Sequence, residues 1–173
     1  MKLRWRDLRE SSTGVHLNET IELPNLVKEN RQLIACEPFQ VDLHGTEESK
    51  IGHVEGTLKS KATFRCSRCL TDYSEDLIVP FEEDFVQAED ELAVEDGADE
   101  ADRIPVLGET IDLVPHLEQT VNLALPYTPL CREECAGLCS ECGVNRNETA
   151  CACKTERIDP RLADLAKFFE QDS

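Results

Sequence analysis

The chain has 173 residues, 36 acidic against 18 basic side chains, a formal net charge of −18 and nine cysteines. No run approaches the roughly 18 apolar residues that span a bilayer, and the opening MKLRWRDLRESS lacks the apolar core of a secretory signal. So acidic a chain is a poor general binder of nucleic-acid backbone, while 40% hydrophobic content is too much for a wholly disordered one.

In chain order, Val15, Leu17, Ile21 and Leu23 punctuate polar residues and predict a strand ending in a turn at Pro24. Phe39, Val41 and Leu43 alternate with Gln40, Asp42 and His44, a second strand whose turn is expected at Gly45 and the polar run after it. A weaker strand, with Gly52 and Gly56 inside it, covers 51–58. Over 58–66 the alternation is clearest: Leu58, Ser60, Ala62, Phe64 and Cys66 share one face, and Lys59, Lys61, Thr63 and Arg65 the other. Tyr73, Leu77 and Val79 predict another strand, and 81–86 one more. The first half therefore reads as an antiparallel sheet with one wet face, or a partly open barrel.

Residues 82–102 hold eleven acids and no base, so this stretch alone carries −11 of the −18. Its later part reads as a solvated loop over 87–103, either a solubilising linker or a lure for a basic partner. The period then changes. Leu113, Leu117, Val121 and Leu125 recur every four residues, with Val114 and Ala124 widening the stripe, Asp112 as the N-cap and Pro126 as the stop. A second helix is expected near the C-terminus, capped by Asp159, with Pro160 in its first turn and Leu162, Leu165, Ala166 and Phe169 as its apolar stripe. The expected class is α+β. Residues 1–126 form a β domain with a packed helix, interrupted by the acidic loop, and 127–173 form a cysteine-rich segment and short helix packed upon it.

An odd cysteine count with no sign of export argues for reduced thiols in the cytoplasm rather than a disulfide framework. Cys36 stands alone and reads as a small core residue. The other eight form four close pairs: Cys66/Cys69, Cys131/Cys135, Cys139/Cys142 and Cys151/Cys153. Two sulfurs on one tight turn can share a Zn²⁺, and a second pair completes a tetrahedral site, so four pairs allow one or two structural zinc ions. Kept intact, the pairs can combine in three ways. The favoured one joins Cys139, Cys142, Cys151 and Cys153 across a loop of only eight residues, whose closure costs little. Cys66, Cys69, Cys131 and Cys135 then tie the sheet to the segment after the helix. Gly143 directly after Cys142 permits a positive φ that turns N–H groups toward sulfur, whereas Leu70 after Cys69 makes a weaker knuckle.

These sets look closed rather than catalytic. His16, His44, His53 and His116 lie at no ligand spacing from a cysteine pair, and no catalytic triad or phosphate loop stands out. No small-molecule substrate is implied. A cationic group, Lys50, Lys59, Lys61, Arg65 and Arg68 against Glu55, gives a local +4, and the first nine residues a local +3. The former is a candidate RNA contact, or the ordinary wet face of a sheet. Aromatic residues are scarce, which disfavours base stacking.

The segments LRWRDLRESSTGVHLNETIELPNL, FRCSRCL, GETIDLVPHLEQTVNLALP, CREECAGLCSECGVNRNETACAC and DPRLADL, in this order, resemble the YceD family, the large ribosomal RNA subunit accumulation proteins of bacteria and plastids. The resemblance implies a non-enzymatic factor in ribosome biogenesis. It also implies that the metal is a scaffold device, since members differ in how many of these cysteines they retain. The implied partner is a ribosomal protein, large-subunit ribosomal RNA precursor, or both. A direct RNA binder using the cationic strand and a thiol redox protein are the alternatives.

Overall fold

In the computed structural model, residues 1–88 and 103–153 are described. Two long strands dominate. Strand β5 (Ile51–Arg65) and strand β6 (Asp72–Ala88) pair antiparallel through fifteen consecutive partners, from Ile51↔Val86 to Arg65↔Asp72. The two strands expected on either side of residue 58 are thus one, and so are the two expected on either side of Pro80. Pro80 is tolerated because its missing N–H falls outside the stretch where β6 pairs on its other edge. Strand β4 (Phe39–Glu48) pairs with β5, and β2 (Val15–Ile21) pairs with β4. The short β3 (Leu33–Cys36) continues the β4 edge of β5. The sheet is open rather than a barrel, in the order β2-β4-β5-β6-β7. One strand departs from antiparallel: β7 (Arg103–Leu107) lies parallel to β6.

The turn expected at Gly45 lies further on. Strand β4 continues to Glu48, and Ser49 and Lys50, at φ 54° and 68°, form a two-residue hairpin turn onto Ile51. Two consecutive positive φ values suit the right-handed twist of the strands. The Lys50 N–H donates to Glu47 Oε1 at 2.8 Å, which helps to hold the turn.

One face of the sheet carries Phe39, Val41, Leu43, Val54, Leu58, Ala62, Phe64, Val79, Phe81 and Phe85, all buried. Three short helices and a two-stranded ribbon cover it. Helix α1 (Trp5–Glu10) contributes Trp5 and Leu8, and α2 (Pro24–Glu29) contributes Leu26; Pro24 starts this helix rather than ending a turn. Strands β1 (Lys2–Arg4) and β8 (Thr110–Asp112) form the ribbon. Helix α3 (Val114–Ala124) follows the expected stripe, with Leu113, Leu117, Val121 and Leu125 buried and Ala124 exposed. Leu113 occupies the N-cap position, and Asp112 Oδ1 accepts the Val114 N–H at 3.2 Å from one residue earlier. The C-terminal helix expected from Asp159 onward, and residues 89–102 of the acidic stretch, lie outside the described residues. The first acids of that stretch, Glu82, Glu83 and Asp84, belong to β6. No helix among the described residues is long and apolar enough to cross a membrane.

Candidate metal centres

The β5–β6 hairpin reverses through residues 66–71, so the first cysteine pair forms the tip of the longest hairpin in the sheet. The Cys66 N–H donates to Thr71 O at 3.0 Å, and the Leu70 N–H to Cys66 O at 3.0 Å. The Cys139/Cys142 turn repeats this pattern: Cys139 N–H to Val144 O at 2.9 Å, and Gly143 N–H to Cys139 O at 2.9 Å. Leu70 has φ 59° and Gly143 φ 72°. The turn after Cys69 therefore has the same shape as the glycine-bearing one. A leucine is held where the left-handed conformation favours glycine.

Four sulfurs gather at each turn. Those of Cys66, Cys69, Cys131 and Cys135 lie within 4.8 Å of one another, and so do those of Cys139, Cys142, Cys151 and Cys153. In the first group, Cys66–Cys135 and Cys69–Cys131 are each 3.7 Å apart. Four Zn–S bonds of about 2.3 Å in a tetrahedron put sulfurs about 3.8 Å apart, so the spacing fits a tetrathiolate ion. Each group could hold a metal ion.

Burial separates the two. Cys66, Cys69 and Cys135 are buried, half-buried Cys131 packs beside them, and Tyr73 and Leu130 cover the group. We term this the inner cluster. In the outer cluster Cys139 is buried, Cys151 half-buried, and Cys142 and Cys153 exposed. Burial pushes the Cys66 thiol up, but N–H groups of Cys131, Cys69 and Arg68 directed at its sulfur outweigh this and bring it down to about 6. Cys131 moves up to about 12, through burial and the crowding of the Cys69, Cys135 and Cys66 sulfurs. In the outer cluster, N–H groups of Cys142 and Glu141 bring Cys139 down to about 6. The Cys142 sulfur, followed by burial, pushes Cys153 up to about 12. Each group favours partial ionisation and resists complete ionisation, because its sulfurs are like charges held together. A dication at the centre would let all four ionise.

Two further residues shape the inner cluster, and neither has a sequence signal for that role. Asn147 Nδ2 donates to the Cys135 sulfur at 3.3 Å. Arg68 Nη1 donates to the carbonyls of Cys135 at 3.1 Å and Glu133 at 3.4 Å, fixing the 131–135 turn against the hairpin tip. The Ser67 N–H donates to Pro129 O at 2.8 Å on the approach to the same turn. Sequence spacing carries no sign of these contacts: Arg68 reaches carbonyls 65 and 67 positions further along the chain, and Asn147 reaches back 12 positions to Cys135.

The cationic residues are dispersed. Lys59, Lys61 and Arg65 share the outer face of β5, but Lys61 sits opposite Asp76 and Arg65 opposite Asp72. Arg65 engages both carboxylate oxygens of Asp72, at 2.9 and 3.2 Å. Arg68 serves the cysteine turn. Lys50 lies at the far end of β5, about 30 Å from Lys59 at roughly 3.3 Å per strand residue, lining a cavity with Arg9, Gln87 and Glu109.

Sheet, hairpin tip and thiol groups together define an α+β protein whose central hairpin is fastened by one four-cysteine cluster and extended by another. A model of the family described as "Large ribosomal RNA subunit accumulation protein YceD" matches residues 54–169. The chain belongs to this YceD family. An uncharacterized protein of Mycobacterium tuberculosis is 31% identical over 95% of this chain and 79% of its own length. The uncharacterized protein YlbN of Bacillus subtilis is 26% identical over 90% and 88% respectively. The chloroplastic large ribosomal RNA subunit accumulation protein YCED homolog 1 of Arabidopsis thaliana is 26% identical over 78% of this chain and 49% of its own length. No solved structure matches the chain.

Proposed function

We propose that this chain is a non-enzymatic, zinc-stabilised factor of the cytoplasm that supports accumulation of large-subunit ribosomal RNA by holding a ribosomal protein, with contact to precursor RNA secondary. The observation that carries the choice of partner is the compensation of the cationic strand. Of Lys59, Lys61 and Arg65, two face carboxylates directly across the β5–β6 ladder. A surface that binds phosphate chains gains affinity from cations whose counterions it can release; Arg65, paired with Asp72, and Lys61, with Asp76 across from it, offer less of that. The eleven acids of 82–102 complement instead a basic protein, through steering and screened attraction.

Zinc serves as scaffold in this reading. The inner cluster joins the hairpin tip to the segment after α3, and the outer cluster orders the loop beyond it. Crosslinking in cells, followed by identification of bound protein and bound RNA, tests the choice. Ribosomal proteins are expected as the dominant adducts, and the Lys59→Glu, Lys61→Glu double variant is expected to retain them. Dominant crosslinks from Lys59 and Lys61 to precursor RNA, lost in that variant, would establish the direct RNA binder instead.

A further inference from the structure

The inference rests on the reading of both clusters as metal sites, and it concerns how they communicate. Asn147 lies between Cys142 and Cys151, within the loop that the outer cluster closes. Its side chain nevertheless serves the inner cluster. Besides the Nδ2 donation to the Cys135 sulfur at 3.3 Å, its Oδ1 accepts the Ala136 N–H at 2.8 Å and an Arg132 Nη2 hydrogen at 2.6 Å. Asn145 holds it in place, its Oδ1 accepting the Asn147 backbone N–H at 3.1 Å and Nδ2 at 2.7 Å. The Arg146 N–H donates to Gly137 O at 2.9 Å, and Leu138 bridges Asn145. The loop of one cluster thus forms part of the wall of the other. Exposure is unequal: Cys66, Cys69 and Cys135 are 0%, 5% and 3% accessible, whereas Cys142 and Cys153 face solvent.

We propose that the outer cluster is the exchangeable metal site of this protein, and that Asn147 transmits its occupancy to the inner cluster. With the outer ion gone, the loop 143–150 loses its closure, which loosens Asn147 against the Asn145, Ala136 and Arg132 contacts that otherwise hold it. Cys135 then loses a hydrogen-bond donor that orients and stabilises its thiolate. Losing such a donor weakens metal binding by about 10–100-fold. The coupling is reciprocal, so a filled inner site favours filling of the outer one. Metal supply would then set how firmly the hairpin tip is fastened to the segment after α3. Asn147 acts here as a positioning residue.

The test uses the full-length protein purified without chelator. Its zinc is counted, then withdrawn with graded concentrations of a zinc chelator while alkylation of each cysteine is mapped by mass spectrometry. Loss of the first ion is expected to expose Cys142 and Cys153 to alkylation while Cys66 and Cys69 stay protected. Asn147→Asp keeps the oxygen acceptor for Ala136 and removes the donor to sulfur. It is expected to lower inner-site zinc affinity by about 10–100-fold with the outer ion still bound and Trp5 fluorescence unchanged. Cys153→Ser is expected to give the same inner-site weakening by emptying the outer cluster. Simultaneous loss of both ions, or unchanged inner-site affinity in Asn147→Asp, overturns the inference. A chain that carries no zinc and takes up none on titration overturns the reading of the clusters themselves, and the inference with it.

Discussion

At the residue scale, the two cysteine turns pose one backbone problem with two solutions. Both place a residue with positive φ directly after the second cysteine, at Leu70 and at Gly143. The left-handed conformation costs an L-residue roughly 1–2 kcal/mol that glycine does not incur, though glycine loses more entropy on folding. Leu70 is 57% exposed, so its side chain contributes little packing in return. Leu70→Gly is therefore expected to stabilise the protein by about 0.5–1 kcal/mol, read as a higher denaturation midpoint of the metal-loaded form. Gly56 presents the opposite case. A Cβ there would meet Asp42 O at 2.1 Å and Leu43 Cα at 2.8 Å, both backbone atoms of the neighbouring strand. Gly56→Ala is expected to cost about 3 kcal/mol or more, seen as a fall in the denaturation midpoint or loss of soluble protein.

At the element scale, sequence legibility followed length. Strands β4, β5 and β6 and helix α3 are long enough to show their periods, and their apolar faces form the core. The six-residue helices α1 and α2 span under two turns each, too few for a 3.6-residue stripe to emerge. Strands β1 and β8 have three residues each, and Pro105 obscures β7, which as an edge strand can tolerate it. The β4–β5 turn uses Ser49-Lys50 rather than the Asn-Gly that signals such a turn, so the chain's nearest turn signal is Gly45. Gly45 has another reason to be small: a Cβ there would stand 3.0 Å from Leu8 and 3.2 Å from Leu3. Close cysteine spacings are local and so readable. Asn147, Arg68 and the acids matching the cationic strand depend on tertiary placement and cross-strand register, which spacing along the chain does not carry.

At the scale of the whole molecule, the sheet buries one face under helices and leaves the other wet, while the cysteine segment is fastened to the end of the longest hairpin. The charge divides correspondingly. The stretch 82–102 carries −11, and the remainder is nearer balance, with Arg65 of the cationic strand paired to Asp72 and Lys61 opposite Asp76. Two tetrathiolate zinc centres would each add about −2, taking the formal charge from −18 to about −22. This charge distribution supports the proposed basic protein partner over a bare phosphate chain. Everything beyond the sheet depends on whether the eight paired thiols hold metal. Native mass spectrometry with elemental analysis, on protein purified without chelator, tests this most directly. The account expects two zinc ions per chain and eight cysteines protected from alkylation; a metal-free chain, natively folded with those eight thiols reactive, would contradict it.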